Sequence, residues 1–239
     1  MVLKLILFQF CAHLLSDFVF QPQKWSDKKS NKVFTKYHIY HILLVGTFSW
    51  LFSFMLDFWI AAVIIMIIHL ITDVLKSWLS LKFKSHSFFF MDQLIHIITL
   101  IIVSVLFSKV YSIQFPFHID TYSIGVITGF ILCAKPANVI MKHIFINFSI
   151  EIPDNNISDK NNTIGEKSLP NAGRLIGISE RFLVLALGIM GQFQAIGLLI
   201  AAKSILRFNS VSKSEYVLVG TLVSFMIAIF SGILINFLC

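Results

Sequence analysis

The chain has 239 residues, 57% of them apolar and 13% charged, with 25 phenylalanines and a formal net charge of +7. Soluble domains carry about 45–50% apolar and about 25% charged residues, so a water-soluble globule, a disordered chain and a disulfide-stapled secreted module are excluded. The apolar residues fall in blocks near the ~20 residues that cross a ~30 Å hydrocarbon layer as a helix.

In chain order, spanning or near-spanning helices are predicted over residues 2–20, 37–56, 58–79, 88–108, 120–146, 174–190, 192–207 and 215–237. The fold class is all-α, a polytopic transmembrane bundle of seven or eight helices, because lipid satisfies no backbone polar group. The first block opens with Lys4 and an apolar run like a signal peptide. No small-x-small cleavage site follows, and His13 and Asp17 interrupt the run, so a retained first helix is expected. Lys135-Pro136 marks a kink or break in the fifth helix. The sixth and seventh meet at Gly188 and Gly191, two helices or one long bent one. A polar stretch from Ile150 to Asn171, holding Pro153 and Pro170, reads as the one long loop. It divides the chain into a bundle over 1–149, a loop over 150–173 and C-terminal helices over 174–239.

The basic residues set an orientation. Residues 21–36 hold Lys24, Lys28, Lys29, Lys32 and Lys36 against Asp27, residues 80–87 hold Lys82 and Lys84, and Lys203, Arg207 and Lys213 cluster further on, while the turn near Asp57 has no Lys or Arg. Basic loops stay cytoplasmic, which places the N-terminus outside and the segments 21–36, 80–87, 150–173 and 208–214 inside. The positive charge is thus accounted for by loops beside anionic lipid, with no nucleic-acid partner. Cys11, Cys133 and Cys239 lie in or beside apolar segments without C-x-x-C spacing, and form neither a disulfide framework nor a thiolate metal site.

Ionisable groups inside apolar helices are costly and define a site by default. His13 and Asp17, His69 and Asp73, and Asp92 and His96 are each spaced i, i+4, on one face of a helix, and His41 lies early in the second helix. With the helix directions given by the lysines, all seven fall near one cytoplasmic depth. Imidazole and carboxylate together suit a divalent metal, zinc first, with manganese or iron as alternatives, and seven ligands suffice for two ions. The same groups would also serve a proton or cation relay, or a hydrogen-bond network that only fixes helix packing. The metal reading leads because no Lys or Arg is expected deep enough to neutralise the acids.

In the C-terminal half Arg174, Glu180 and Arg181 open the sixth helix, and Lys203 and Arg207 close the seventh. They are either snorkelling side chains with a Glu180 ion pair or, with Lys76 and the Lys135-Pro136-Ala137-Asn138 break, an anion clamp beside the metal. No Gly-rich phosphate loop, G-x-S-x-G elbow or H-E-x-x-H helix occurs.

The segments AHLLSDFVFQP (12–22), HLITDVLK (69–76), MDQLIHI (91–97), GRLIGISER (173–181), AAKSILRF (201–208) and EYVLVGTLVSF (215–225) resemble a bacterial polytopic inner-membrane family of unknown function. The resemblance runs nearly end to end. It implies a multi-pass protein of the bacterial inner (plasma) membrane, with Gln21, Gln93, Glu180, Arg181 and the residues above as signature positions. More locally, His13-x-x-x-Asp17 followed by Gln21-Pro22 is similar to the H-x-x-x-D-x-x-x-P segment of zinc phospholipase C-type enzymes and to membrane-bound metal-dependent hydrolases. The proline here stands one residue late, and the histidine those enzymes carry just after it is absent.

The resulting expectation is a membrane protein with a cytoplasm-facing metal site that hydrolyses a phosphate-containing lipid or similar anionic amphiphile. His13, Asp17, His41, His69, Asp73, Asp92 and His96 are expected as ligands, and Asp17, Asp73, Asp92 and Gln93 as the catalytic set. Lys76, Arg174, Lys203 and Arg207 are expected to hold the anion. The alternatives are a proton- or metal-ion-coupled transporter, for which no inverted repeat is seen, and a non-catalytic scaffold.

Overall fold

A computed structural model describes residues 1–83, 87–150, 172–207 and 214–239. Among these residues helices are the only regular secondary structure. The helices are α1 (Val2–Leu14), α2 (Gln23–Ser30), α3 (Lys36–Ser53), α4 (Trp59–Phe83), α5 (Phe88–Val110), α6 (Thr121–Cys133), α7 (Lys135–Asn147), α8 (Ala172–Ile189), α9 (Phe193–Arg207) and α10 (Ser214–Leu238). Most of the 150–173 loop and the 208–213 connection lie outside the described residues.

By length and hydropathy four segments can cross a membrane: Val2–Val19, Leu56–Phe83, Phe88–Val110 and Leu218–Leu238. The α6–α7 pair adds a fifth if its two parts make one span bent by 47°. Among the described residues the expected seven or eight spans are therefore not all accounted for: α3 and α8 carry too many polar or charged residues, and the apolar part of α9 is too short. The shortfall in α3 has a local cause: its inward face is spent on His38, His41, Gly46, Ser49 and Ser53.

Three local features differ from uninterrupted helices. Residues Leu15–Val19 continue α1 as a π-helix, with Phe20 N–H donating to Leu15 O at 2.8 Å, and carry Asp17. Single π turns are uncommon and concentrate at functional sites. The lysine-rich linker holds a helix, α2, that hydropathy does not reveal: it starts after Pro22, and Lys29 is its one buried side chain. Between α8 and α9 the chain turns at Gly191 (φ 70°), a left-handed conformation open to glycine at little cost, so these are two helices.

α1 is central and packs on α3, α5 and α6; α4 lies against α3 and α5, and α10 against α8 and α6. One end of the α1–α3–α4–α5 bundle is filled by Leu5, Val45, Phe58, Ile65, Leu100 and Phe107. A separate core of Cys133, Val184, Leu185, Phe225 and Ala228 joins α6, α8 and α10. The polar cluster lies at the other end of the first bundle, where α1 and α4 finish and α3 and α5 begin.

Candidate metal centre

The seven residues expected as ligands come from four helices and converge. His13, His41, His69, Asp73, Asp92 and His96 are buried, and the Asp17 side chain is 8% exposed. His41 Nε2 is 3.0 Å from His69 Nε2 and 3.7 Å from both Asp17 Oδ1 and Asp73 Oδ2. Asp17 Oδ2 is 3.7 Å from His69 Nε2, and Asp17 Oδ1 is 3.5 Å from His13 Nδ1. The His69 and His96 rings stack with centroids 3.8 Å apart. Three overlapping triads have ligand atoms within 4.8 Å of one another: His13, Asp17 and His69; His41, His69 and Asp73; Asp73, Asp92 and His96. Separations of 3.5–3.7 Å are long for hydrogen bonds. They match the roughly 3.4 Å edge of a tetrahedron with about 2.1 Å metal–ligand bonds.

The hydrogen-bond network fixes where the imidazole protons sit. Gln93 Nε2 donates to Asp92 Oδ2 at 3.3 Å, which turns Gln93 Oε1 toward His13 Nε2, also at 3.3 Å. Since Oε1 only accepts, His13 carries its proton on Nε2 and, when neutral, aims the lone pair of Nδ1 at the Asp17 carboxylate. The Thr72 hydroxyl gives its single proton to a backbone carbonyl, Ile68 O at 3.1 Å or His69 O at 2.9 Å, so at 3.2 Å it accepts from His96 Nδ1. His96 Nε2 is then also a lone pair. It lies 3.1 Å from Asp92 Oδ1, and neither atom has a hydrogen-bond partner. Twice, therefore, a neutral imidazole would turn a lone pair toward a buried carboxylate oxygen, an arrangement that repels; a second proton on the ring, making an ion pair, or a metal ion between the two groups removes the repulsion.

One expectation is overturned. Lysines do reach the cluster: Lys29 Nζ is 2.5 Å from Asp73 Oδ2, and Lys76 Nζ is 2.7 Å from Asp92 Oδ2. Lys29 belongs to a stretch that reads as a loop and is brought in by α2, while Lys76 is aimed one helix over, at α5. With its side-chain amide oriented to satisfy both contacts, Gln21 donates to Asp17 O at 2.9 Å and accepts from Lys29 at 3.2 Å. Asp17 alone of the three aspartates has no lysine partner and is faced by three imidazoles.

The cluster opens into a cavity of about 420 Å³, lined by Asp17, His41 and Asp73 on one side and by Lys135, Lys142 and His143 of α7 on another. Of the expected anion-binding residues, Lys76 lines this cavity. Lys203 instead pairs with Glu180, Arg174 is exposed, and the Arg207 side chain lies outside the described residues. Arg181, 1% exposed, donates to Cys133 O at 2.7 Å, Ala134 O at 3.3 Å, Asn138 Oδ1 at 2.7 Å and Ser224 Oγ at 3.1 Å. It thereby caps the carbonyls that α6 leaves open at the Pro136 bend. The Lys135-Pro136 break pointed to the start of α7 as part of an anion clamp, and Lys135 does line the cavity; nothing in the sequence pointed to Lys142 and His143, which are distant in the chain from the His/Asp pairs.

Fold and site together define an all-helical protein with membrane-length apolar helices and a buried His/Asp cluster able to hold a metal ion. Residues 5–123 match the family described as "Protein of unknown function (DUF3307)". Over that stretch, which contains all seven cluster residues and both paired lysines, the chain is similar to an uncharacterised family. No curated protein and no solved structure matches it.

Proposed function

We propose that the chain is an integral-membrane metalloprotein whose His/Asp cluster binds a divalent transition ion, zinc first, and hydrolyses a phosphate-containing lipid or similar anionic amphiphile. The observation that carries the metal site is the convergence of three overlapping His/Asp triads whose ligand atoms lie within 4.8 Å of one another, with His13 and His96 nitrogens facing the carboxylates of Asp17 and Asp92. His13, Asp17, His41, His69, Asp73, Asp92 and His96 supply the ligands. A bound divalent ion would lower the pKa of a coordinated water toward about 7 and polarise a phosphoryl oxygen. Gln93, bridging His13 and Asp92, holds the His13 tautomer that leaves Nδ1 free. Asp17, without a lysine partner, is the carboxylate best placed to accept a proton from water.

Supporting hydrolysis over transport, the ionisable residues stop at the His/Asp cluster; past the Gln9–Ser49 hydrogen-bonded pair (2.9 and 2.6 Å) the bundle is filled mainly by Leu5, Phe58, Ile65 and Phe107, with the hydroxyls of Ser53 and Ser104 as buried polar groups and no charged side chain among the buried residues. A purely structural network is the second reading, and the Lys29–Asp73 and Lys76–Asp92 pairs favour it. The test uses the full chain in nanodiscs with a panel of phosphomonoester and phosphodiester lipids, loaded in turn with zinc, manganese and iron. Metal-dependent release of phosphate or headgroup, lost on Asp17→Asn, is the expected result. Metal-loaded protein that leaves every lipid intact would overturn hydrolysis, and protein that takes up none of the three metals would leave the structural network standing.

A further inference from the structure

The same cavity carries a second set of groups on its α7 wall, and this inference rests on the reading above for what lies opposite. Four lysines line the cavity: Lys29, Lys76, Lys135 and Lys142. Two are satisfied by carboxylates, Lys29 by Asp73 and Lys76 by Asp92. The other two are not. Lys135 Nζ donates to the carbonyls of Val19 at 3.2 Å and Gln21 at 3.4 Å, at the end of the π-helical segment, and no described carboxylate lies within ion-pair distance of Lys135 or Lys142. His143, next along α7, stacks on Phe89 with ring centroids 3.8 Å apart and an interplanar angle of 5°, which fixes its ring at the cavity wall.

The bend places these groups. α7 departs from α6 at 47°, and Arg181 ties the break from the other side, binding Cys133 O, Ala134 O and Asn138 Oδ1 at once. An unbent helix would carry residues 135–147 along the α6 axis instead of across the mouth of the first bundle. Two turns of helix thus bring to the cavity two ammonium groups, neither paired with a described carboxylate, and an imidazole, on a wall of the space that Asp17, His41 and Asp73 also line. Ammonium groups act as point donors to phosphate oxygens.

We infer that Lys135, Lys142 and His143 form the anion-binding wall of the site, taking a phosphate or phosphoryl group whose other side faces the His/Asp cluster. The ligand is either the headgroup of an anionic lipid entering from the bilayer or a free phosphate entering from water; both offer the same oxygens. On this reading Lys203, held by Glu180, does not contribute.

The experiment is calorimetric titration of the full chain in detergent with two probes, inorganic phosphate and a short-chain phosphatidic acid. It is run with and without bound zinc, on wild type, Lys142→Gln, and Lys135→Gln/Lys142→Gln. Lys142 is solvent-exposed, so its single replacement leaves folding intact. The expected result is saturable binding of at least one probe, weakened several-fold in the single variant and tenfold or more in the double, with zinc affinity unchanged in both. Tighter binding of phosphatidic acid than of phosphate assigns a lipid headgroup; equal binding assigns the free anion. Absence of saturable binding by wild type, or equal binding by wild type and the double variant, would overturn the inference. Lysine-dependent phosphate binding in a chain that takes up no metal would sustain it while removing the metalloprotein reading.

Discussion

At the scale of single residues, proton placement decides the chemistry. Gln93 is the hinge of that argument, because its amide fixes the His13 tautomer through two hydrogen bonds of 3.3 Å. Gln93→Leu removes the orientation without removing a ligand, and metal affinity measured by competition with a chelating dye should fall about 10–100-fold. Lys29 makes the opposite prediction. In metal-free protein its ammonium compensates Asp73, and breaking a buried ion pair costs about 3–5 kcal/mol. Lys29→Met should therefore lower the thermal midpoint of metal-free protein markedly, and zinc should recover much of the loss by replacing the missing charge; a midpoint unaffected by the substitution would show that the pair is not formed. The i, i+4 spacing made six of the His and Asp residues legible in the sequence, since it is local and periodic, and His41 was legible from its place early in an apolar helix at the same depth. The Lys29 and Lys76 partners were not legible, because they depend on which helix lies beside which.

At the scale of elements, helix boundaries followed the apolar blocks closely: the predicted 88–108 is observed as Phe88–Val110 and the predicted 215–237 as Ser214–Leu238. The Lys135-Pro136 break was also legible, for proline cannot continue the hydrogen-bond ladder. α2 was not, since an eight-residue helix with a single buried side chain has no apolar stripe to detect. Nor does sequence reveal that Arg181 joins three helices by binding α6 carbonyls, Asn138 and Ser224. Arg181→Lys keeps the charge but loses the planar fork, leaving buried acceptors unpaired at about 1–3 kcal/mol; thermal unfolding in detergent should show this as a lower midpoint. The α8–α10 crossing rests on small residues, with Ser224, Ala228 and Gly232 at four-residue spacing along α10. A Cβ on Gly232 would stand 3.3 Å from the backbone of Gly188 and Ile189. Gly232→Leu should therefore force the two helices apart and destabilise by about 1–3 kcal/mol or more, whereas Gly197→Leu, with open space around it, should not.

At the scale of the whole molecule, the separation of charge along the sequence sets one polar end and one apolar end. The lysine-bearing α2, the cavity and the cluster share an end, opposite the Leu5, Phe58 and Phe107 core. If basic loops set the orientation, that end is cytoplasmic. In a background where exposed Cys239 is replaced, a cysteine at position 28 should resist an impermeant thiol reagent added to intact cells, and one at position 57 should react. The reverse pattern would place the cavity on the outer face.

The central claim is that the buried His/Asp cluster binds a metal ion, and elemental analysis of the full chain purified from membranes tests it most directly. Wild type should carry at least one transition-metal ion per chain, zinc first, with Asp17→Asn and His69→Ala each losing most of it while remaining folded. Wild-type protein free of transition metal and unable to take it up, or equal loading in wild type and both variants, would contradict the account.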